Sequence, residues 1–352
     1  MNHSEVRFSS IDDFLGTPER RFFGNGLNEV RHALSAVSVV DRDGGRRGVD
    51  ASATLRHPGD WSHRTSGMPF APYVDCIDAL ALSVQLCEVH LLHAQGLGPD
   101  QRRRSWLRRY EFWAAPHHAA PHDEFPVQAT LVETRPAPDR PGELCSTFEQ
   151  QLGPARTRCV VQHPPGTGVG TPAAAFATAD QALGPAAERF HAHGYRHRRR
   201  RLTEVLVHLA ERRIESRVEI TPDRHPEPPH LDLGSAYAPA FSLLDCLAVQ
   251  AQLGQALLYQ MDGATGVDGG RLRIPRVTVT AQPPDRRPLA GPFDAVASVD
   301  RSRLLTWEGE TWRTIKLTGS CRGITTSAWL AHALPAAVFL QETASQAAAL
   351  PV

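Results

Sequence analysis

His63-Arg-Thr-Ser-Gly67-Met-Pro-Phe-Ala71-Pro72 and His230-Leu-Asp-Leu-Gly234-Ser-Ala-Tyr-Ala238-Pro239 are two copies of one pattern, His-x-x-x-Gly-x-x-x-x-Pro, set 167 residues apart. The register continues past the motif without a gap. Asp78 meets Asp245, Leu80 meets Leu247, Ala81 meets Ala248, Gln85 meets Gln252, Leu86 meets Leu253 and Leu91 meets Leu258. It holds into the next segment, where Arg109-Tyr110-Glu111-Phe112 meets Arg276-Val277-Thr278-Val279 and Pro116 meets Pro283. A single motif of this kind is weak evidence. Two in register, each followed by the same Asp and Gln, are a duplication.

Each copy carries the same order of expected elements. A strand comes first, at Gly48–Leu55 and Glu215–Thr221, then an irregular Pro/His/Gly segment ending at the motif. A helix follows, about Tyr73 to Ala94 and about Ala240 to Met261. Both helices are apolar on nearly every face, so both are expected to be buried. Period-two alternation then predicts strands at Leu107–Ala114, Val127–Glu133, Leu144–Gln151 and Thr157–Gln162. In the second copy the corresponding strands are Ile274–Ala281, Asp294–Asp300, Leu304–Trp307 and Thr311–Leu317, closed by Thr325–Leu334. One buried helix wrapped by a curved antiparallel sheet is the hotdog arrangement, so the expected fold is α+β, a tandem or double hotdog. Two units joining sheets edge to edge also remove exposed strand edges. The expected organisation is a segment outside the repeat (1–27), repeat 1 (28–163), a Pro/Gly/Ala-rich linker (164–197), repeat 2 (198–345) and a tail (346–352).

The chain of 352 residues carries 38 Lys and Arg against 38 Asp and Glu. No global field recruits nucleic acid or an anionic membrane. The six cysteines are scattered with no C-x-x-C pair and read as reduced, mostly buried thiols of a cytoplasmic protein. Met1 to Ser10 is polar and mixed in charge, unlike a signal peptide. The apolar runs read as too short and interrupted to span a bilayer.

The motif permits specific chemistry. A histidine near its free pKa takes and returns protons at neutral pH. A glycine just before a buried helix N-terminus leaves N–H donors open to a developing oxyanion. Proline early in the helix costs little. The motif resembles that of dehydratase domains of polyketide and fatty-acid synthases, which are double hotdogs. That resemblance implies His63 and His230 as acid or base, Gly67 and Gly234 at the thioester carbonyl, and Pro72 and Pro239 at the helix entry. It also implies an Asp early on the facing helix, which Leu243-Leu244-Asp245 resembles, although Val249 stands where the dehydratases carry Gln or His. By pseudo-symmetry His63 would face Asp245 and His230 would face Asp78, with Gln85 and Gln252 as further substrate-binding candidates. A lone Asp near a helix start is more often a cap. An Asp inside an apolar helix needs a partner.

Other constellations are weaker. His117, His118 and His122 with Asp123 and Glu124 fall on a Pro/Ala-rich loop and read as structural, not as a metal site. Arg198 to Arg201 read as a solvated linker end. Gly166-Thr-Gly168-Val-Gly170 lacks the strand-to-helix context of a dinucleotide loop. His57 and His225 lie near the motifs but out of register.

Ser9-Ser10-Ile11-Asp12-Asp13-Phe14-Leu15-Gly16, followed by Arg21-Phe22-Phe23-Gly24, resembles the start of the avirulence-D (AvrD) family, which is similar in length to this chain. The resemblance implies a secondary-metabolite synthase. AvrD-type enzymes are linked to syringolides, acyl glycosides built from a β-ketoacyl chain and a pentulose. The A-factor synthases, also duplicated hotdogs, resemble the family in chemistry and lead to γ-butyrolactone signals. The expected reaction is β-ketoacyl transfer from acyl-carrier protein or coenzyme A to a hydroxyl of a small ketose or polyol. No metal or redox cofactor is implied. The alternatives are a β-hydroxyacyl-thioester dehydratase, a non-catalytic acyl-binding protein and, less favoured, an effector acting directly on a host protein.

Overall fold

The computed structural model describes residues 5–42, 46–58, 74–115, 124–168, 174–223, 230–264, 272–284, 289, 291–307 and 309–334. His63, Gly67, Pro72, His117, His118, His122, Asp123, Gly170 and His225 lie outside the described residues.

The first half contains β1 (Glu5–Ser10), α1 (Asp12–Leu15), β2 (Arg31–Arg42), β3 (Arg46–Arg56), the long helix α2 (Cys76–His93) and the short α3 (Pro99–Arg104). It continues with β4 (Trp106–Trp113), β5 (Glu124–Pro136), β6 (Leu144–Leu152) and β7 (Ala155–His163). The second half contains β8 (Ala175–Thr178), α4 (Ala179–Leu183), β9 (Arg198–His208), β10 (Arg213–Pro222) and the long helix α5 (Leu243–Met261). It ends with β11 (Leu272–Ala281), β12 (Phe293–Trp307), β13 (Glu310–Cys321) and β14 (Ile324–Ala333).

These strands form one antiparallel sheet in the order β1-β9-β10-β12-β13-β14-β11-β4-β7-β6-β5-β3-β2-β8. The order is a palindrome about the β11/β4 seam. There Arg276 pairs with Trp113, Thr278 with Glu111 and Thr280 with Arg109. Shifting every partner by 167 residues returns the same pairs, so the seam is a local two-fold in which each half offers the same strand to the other. A large antiparallel sheet with few helices fits a hotdog fold.

The two long helices are the core. Asp75 caps α2 by accepting from the backbone N–H of Ile77 and Asp78, and every side chain from Cys76 to Leu91 is buried. Ser242 caps α5 in a box with Asp245, and burial runs almost unbroken from Leu243 to Tyr259. Helix α2 packs on β2 to β7, α5 packs on β9 to β14, and the helices touch each other. Contrary to the sequence reading, Cys76–His93 is long and apolar enough to cross a membrane by length and composition. Its 89% burial against the sheet is that of a core helix.

Three expectations differ. A strand not expected, β2 or β9, precedes those at Gly48 and Glu215 within the expected bounds of each repeat. The two strands expected at Asp294–Asp300 and Leu304–Trp307 are a single strand, β12, with a register shift between Val299 and Arg301. Most consequentially, segments 5–28 and 175–197, expected as a non-repeated start and a linker, are copies of one another. They align at an offset of 168. Arg21-Phe22 meets Arg189-Phe190, Leu15-Gly16 meets Leu183-Gly184, and Gly26 meets Gly194.

The hydrogen bonds repeat at the same offset. Gly16 N–H donates to Asp12 O as Gly184 N–H does to Asp180 O, and Leu27 N–H donates to Phe22 O as Tyr195 N–H does to Phe190 O. Arg21 pairs with Asp12, and Arg189 pairs with Asp180. These arms cross. Strand β1 pairs with β9 of the second half, and β8 pairs with β2 of the first. Arg21 donates to the Gln252 amide oxygen on α5 at 2.8 Å, and Arg189 donates to the Gln85 amide oxygen on α2 at 2.8 Å.

Candidate functional site

A cavity of about 420 Å³ opens at the N-terminus of α5. Its walls come from the start of β4 (Trp106, Leu107), the second arm (Phe190, His191), the motif loop (His230, Leu233 to Ser235, Tyr237 and Ala238), the helix entry (Ala240 to Leu243) and the β13–β14 turn (Arg322 to Ile324). The lining mixes apolar and aromatic side chains with a few polar groups, as small-molecule sites do.

His230 is buried and lines this cavity. Its ring meets the Phe190 ring edge-on at 5.6 Å between centroids. Gly194 lies directly beneath it. A Cβ built there would fall 2.3 Å from His230 Cε1, so the repeated glycine of the arm is the space the imidazole occupies. Gly234 adopts φ +86°, a left-handed conformation favouring glycine, and begins a turn of 3-10 helix at Ser235–Tyr237. That turn is tied down where Tyr237 Oη donates to the Arg104 carbonyl at 3.0 Å. Pro239 follows through a cis bond from Ala238. The loop is also fixed to the first half. Leu233 N–H donates to Glu88 Oε1 on α2 at 2.5 Å, and Arg102 Nε donates to the same oxygen at 3.0 Å. The site therefore stands on both halves.

Asp232, inside the motif, is fully buried and accepts from both the backbone N–H and the ring Nδ1 of His191, each at 3.0 Å. Burial raises the Asp232 pKa, but the ring bond and charge of His191 and its backbone donor outweigh burial and hold the carboxyl below its ordinary value. Neither His191 nor Asp232 was singled out from the sequence. Their only signal was their proximity, in the fold, to a motif histidine.

Asp245 sits in the first turn of α5 with both oxygens engaged. Oδ2 accepts from Arg198 Nη1 at 2.7 Å and from the Ser242 hydroxyl at 2.8 Å, and Oδ1 accepts from Arg200 Nε at 3.0 Å. Burial raises its pKa, and the two guanidinium groups more than reverse this, leaving it below the ordinary value. The environment is that of a cap and ion pair, so the expectation of a catalytic partner meets a carboxylate already committed. The basic run is corrected with it. Arg198 and Arg200 point inward and are buried, while Arg199 and Arg201 are exposed, because β9 alternates faces. Arg198 also stacks over the Phe190 ring at 4.5 Å and lines the cavity.

Asp78, at the equivalent position of α2, has a different environment. The positions equivalent to Arg198 and Arg200 are Val30 and His32. Burial, then the charge and hydrogen bond of Asp75, raise the Asp78 pKa well above the ordinary value, and burial raises that of Asp75 to about 6. Gln85 and Gln252 are corrected from substrate candidates to arm anchors. Each amide oxygen accepts from an arm arginine and each amide nitrogen bonds the carbonyl four residues back, Ala81 or Ala248. His57 follows β3, and burial lowers its pKa to about 4. All six cysteines are free and buried. Among the described residues no group of three metal-binding side chains comes together.

Fold and site thus define a duplicated, sheet-wrapped protein with a histidine-bearing cavity at a buried helix N-terminus. The chain belongs to the Pseudomonas avirulence D protein (AvrD) family, whose model matches residues 6–335. No curated protein matches the chain. Among solved structures, the tesB protein of Mycobacterium avium subs paratuberculosis is 12% identical, with 84% of this chain and 96% of that chain covered and a TM-score of 0.36. A MaoC-like dehydratase is 12% identical, with 75% and 86% covered and a TM-score of 0.37. The dehydratase domain from the CurJ module of curacin polyketide synthase is 6% identical, with 85% and 97% covered and a TM-score of 0.31.

Proposed function

We propose that this chain is a double hotdog enzyme that transfers a β-ketoacyl group from an acyl-carrier-protein or coenzyme A thioester to a hydroxyl of a small ketose or polyol. The observation that carries the reading is the cavity at α5, which joins His230 and Gly234 to an apolar wall of a size suited to an acyl segment. Family membership supports an acyl-derived product.

The chemistry needs three things. A base must take the acceptor proton, a positive field must hold the thioester oxygen as it gains charge, and water must be kept out. Imidazole supplies the first at neutral pH. The Arg198–Asp245–Arg200 cluster supplies the second together with the helix N-terminus. Two guanidinium groups against one carboxylate leave it one charge positive, and Arg198 borders the cavity. Phe190, Phe241 and Trp106 supply the third. No metal or redox group enters this reaction.

The test is mass spectrometry of the purified protein incubated with a β-ketoacyl-CoA and a panel of ketoses and polyols, with His230→Ala alongside. An acyl–sugar adduct that falls at least ~10-fold in the variant, which takes away the imidazole wall beside the acceptor, is expected. Free thiol without adduct, or water loss from a β-hydroxyacyl thioester, would replace the transferase by a thioesterase or a dehydratase. Thioester binding with no turnover would leave an acyl-binding protein.

A further inference from the structure

We infer that His191, oriented by Asp232, is the general base of the α5 cavity, and that the second half alone is built to do this chemistry. This rests on the reading that the cavity is an acyl-transfer site, and deepens it by naming the base and the working half.

Asp232 is fully buried and ionised, and an ionised carboxylate only accepts. His191 Nδ1 at 3.0 Å must therefore carry the proton. In the neutral ring that fixes the tautomer and leaves the lone pair on Nε2, and His191 lines the cavity. The second contact from Asp232, to the His191 backbone N–H, holds the residue as well as its ring. A buried carboxylate setting an imidazole whose other nitrogen is left for a reactant is the arrangement of an orienting acid and a base. His230 contributes the adjoining wall, and its ring is seated on Gly194 and Phe190 of the same arm.

The first half cannot repeat this. At the arm offset of 168 His191 corresponds to Phe23, and at the motif offset of 167 Asp232 corresponds to Thr65. The arms themselves are equivalent in detail, down to the Arg21–Gln252 and Arg189–Gln85 bonds two residues earlier. The difference is therefore in the chemistry placed on a shared scaffold. In the proposed step, Nε2 takes the proton of the acceptor hydroxyl while that oxygen bonds to the thioester carbon. The C–S bond then breaks, and the proton passes from Nε2 to the departing thiolate sulfur.

The decisive experiment is active-site alkylation with a bromomethyl ketone on an acyl chain, in which the Nε2 lone pair displaces bromide, followed by peptide mass spectrometry. The label should appear on His191 in the wild type and fall at least ~30-fold in Asp232→Asn, where the tautomer is no longer enforced, with the melting temperature as a control of folding. Turnover should fall ~100- to 10,000-fold in His191→Gly and return in part with added imidazole. Phe23→Leu should leave turnover within about threefold. Label on His230, no label, or an Asp232→Asn protein labelled as fast as wild type would overturn the assignment. Label on His191 in a protein that forms no acyl–sugar adduct would keep the base and discard the proposed reaction.

Discussion

Arg189 donates to the amide oxygen of Gln85 at 2.8 Å across 104 positions of chain, and in doing so it fastens the second arm to the first half's helix. The guanidinium is fully buried and also pairs with Asp180. Arg189→Ala should lower unfolding stability by about 2–3 kcal/mol, because Gln85 is left with a buried acceptor unpaired. Arg189→Lys should rescue little, since one ammonium cannot span both partners as the guanidinium does. Urea unfolding of the two variants measures both statements.

Removal of residues 1–28 should be more severe than any single substitution in the arm. It withdraws β1 from β9 and Arg21 from Gln252 together. The exposed β9 edge should turn the shortened protein toward aggregation, read by light scattering during refolding.

Gly194→Ala tests the seat of His230. The added methyl group must displace the imidazole, since it would stand 2.3 Å from Cε1. Overpacking of this kind costs about 1–3 kcal/mol, and the ring moves before the backbone does. Turnover should fall at least ~10-fold with a small loss of melting temperature. Unchanged turnover would show that His230 works from another position.

The equivalent carboxylates Asp245 and Asp78 should respond to pH with opposite signs. The Asp245 pKa is depressed in the fold, so its stabilisation is present above the unfolded value of 3.8 and is lost as pH falls through the lower folded value. The Asp78 pKa is raised, so folding binds a proton there, and its contribution is most favourable below pH 3.8 and declines as pH rises above it. Asp245→Asn should cost about 3–5 kcal/mol at pH 7 by stranding two buried guanidinium groups. Asp78→Asn should be neutral or stabilising at pH 8 relative to pH 4. Denaturation series run from pH 2 to pH 8 separate the two, Asp245 acting below pH 3.8 and Asp78 above it.

The duplication, both core helices and most strands were legible because apolar period and a gapless motif report burial directly. What was missed shares one cause. Short arms of one strand and one helical turn have too few residues for a period to show. Their repetition is carried by scattered identities such as Arg21/Arg189 and Gly26/Gly194 at an offset one residue different from that of the motif. The run Arg198 to Arg201 looked solvated because charge hid a two-residue alternation whose buried members are satisfied by Asp245, 45 and 47 positions away. Of the candidate site, His230 and Gly234 were found by motif. His191 and Asp232 were not, since no local pattern joins residues 41 apart.

The crossed arms set different rules for decay in the two halves. A half that lost its arm would unseal its neighbour's sheet, so neither copy is free to erode as a scaffold. The chemistry is under no such tie. Phe23 stands at the arm position that His191 takes in the second half, and the clasp still closes. Substitutions should therefore destabilise the fold symmetrically in the arms and alter turnover asymmetrically in the cavity.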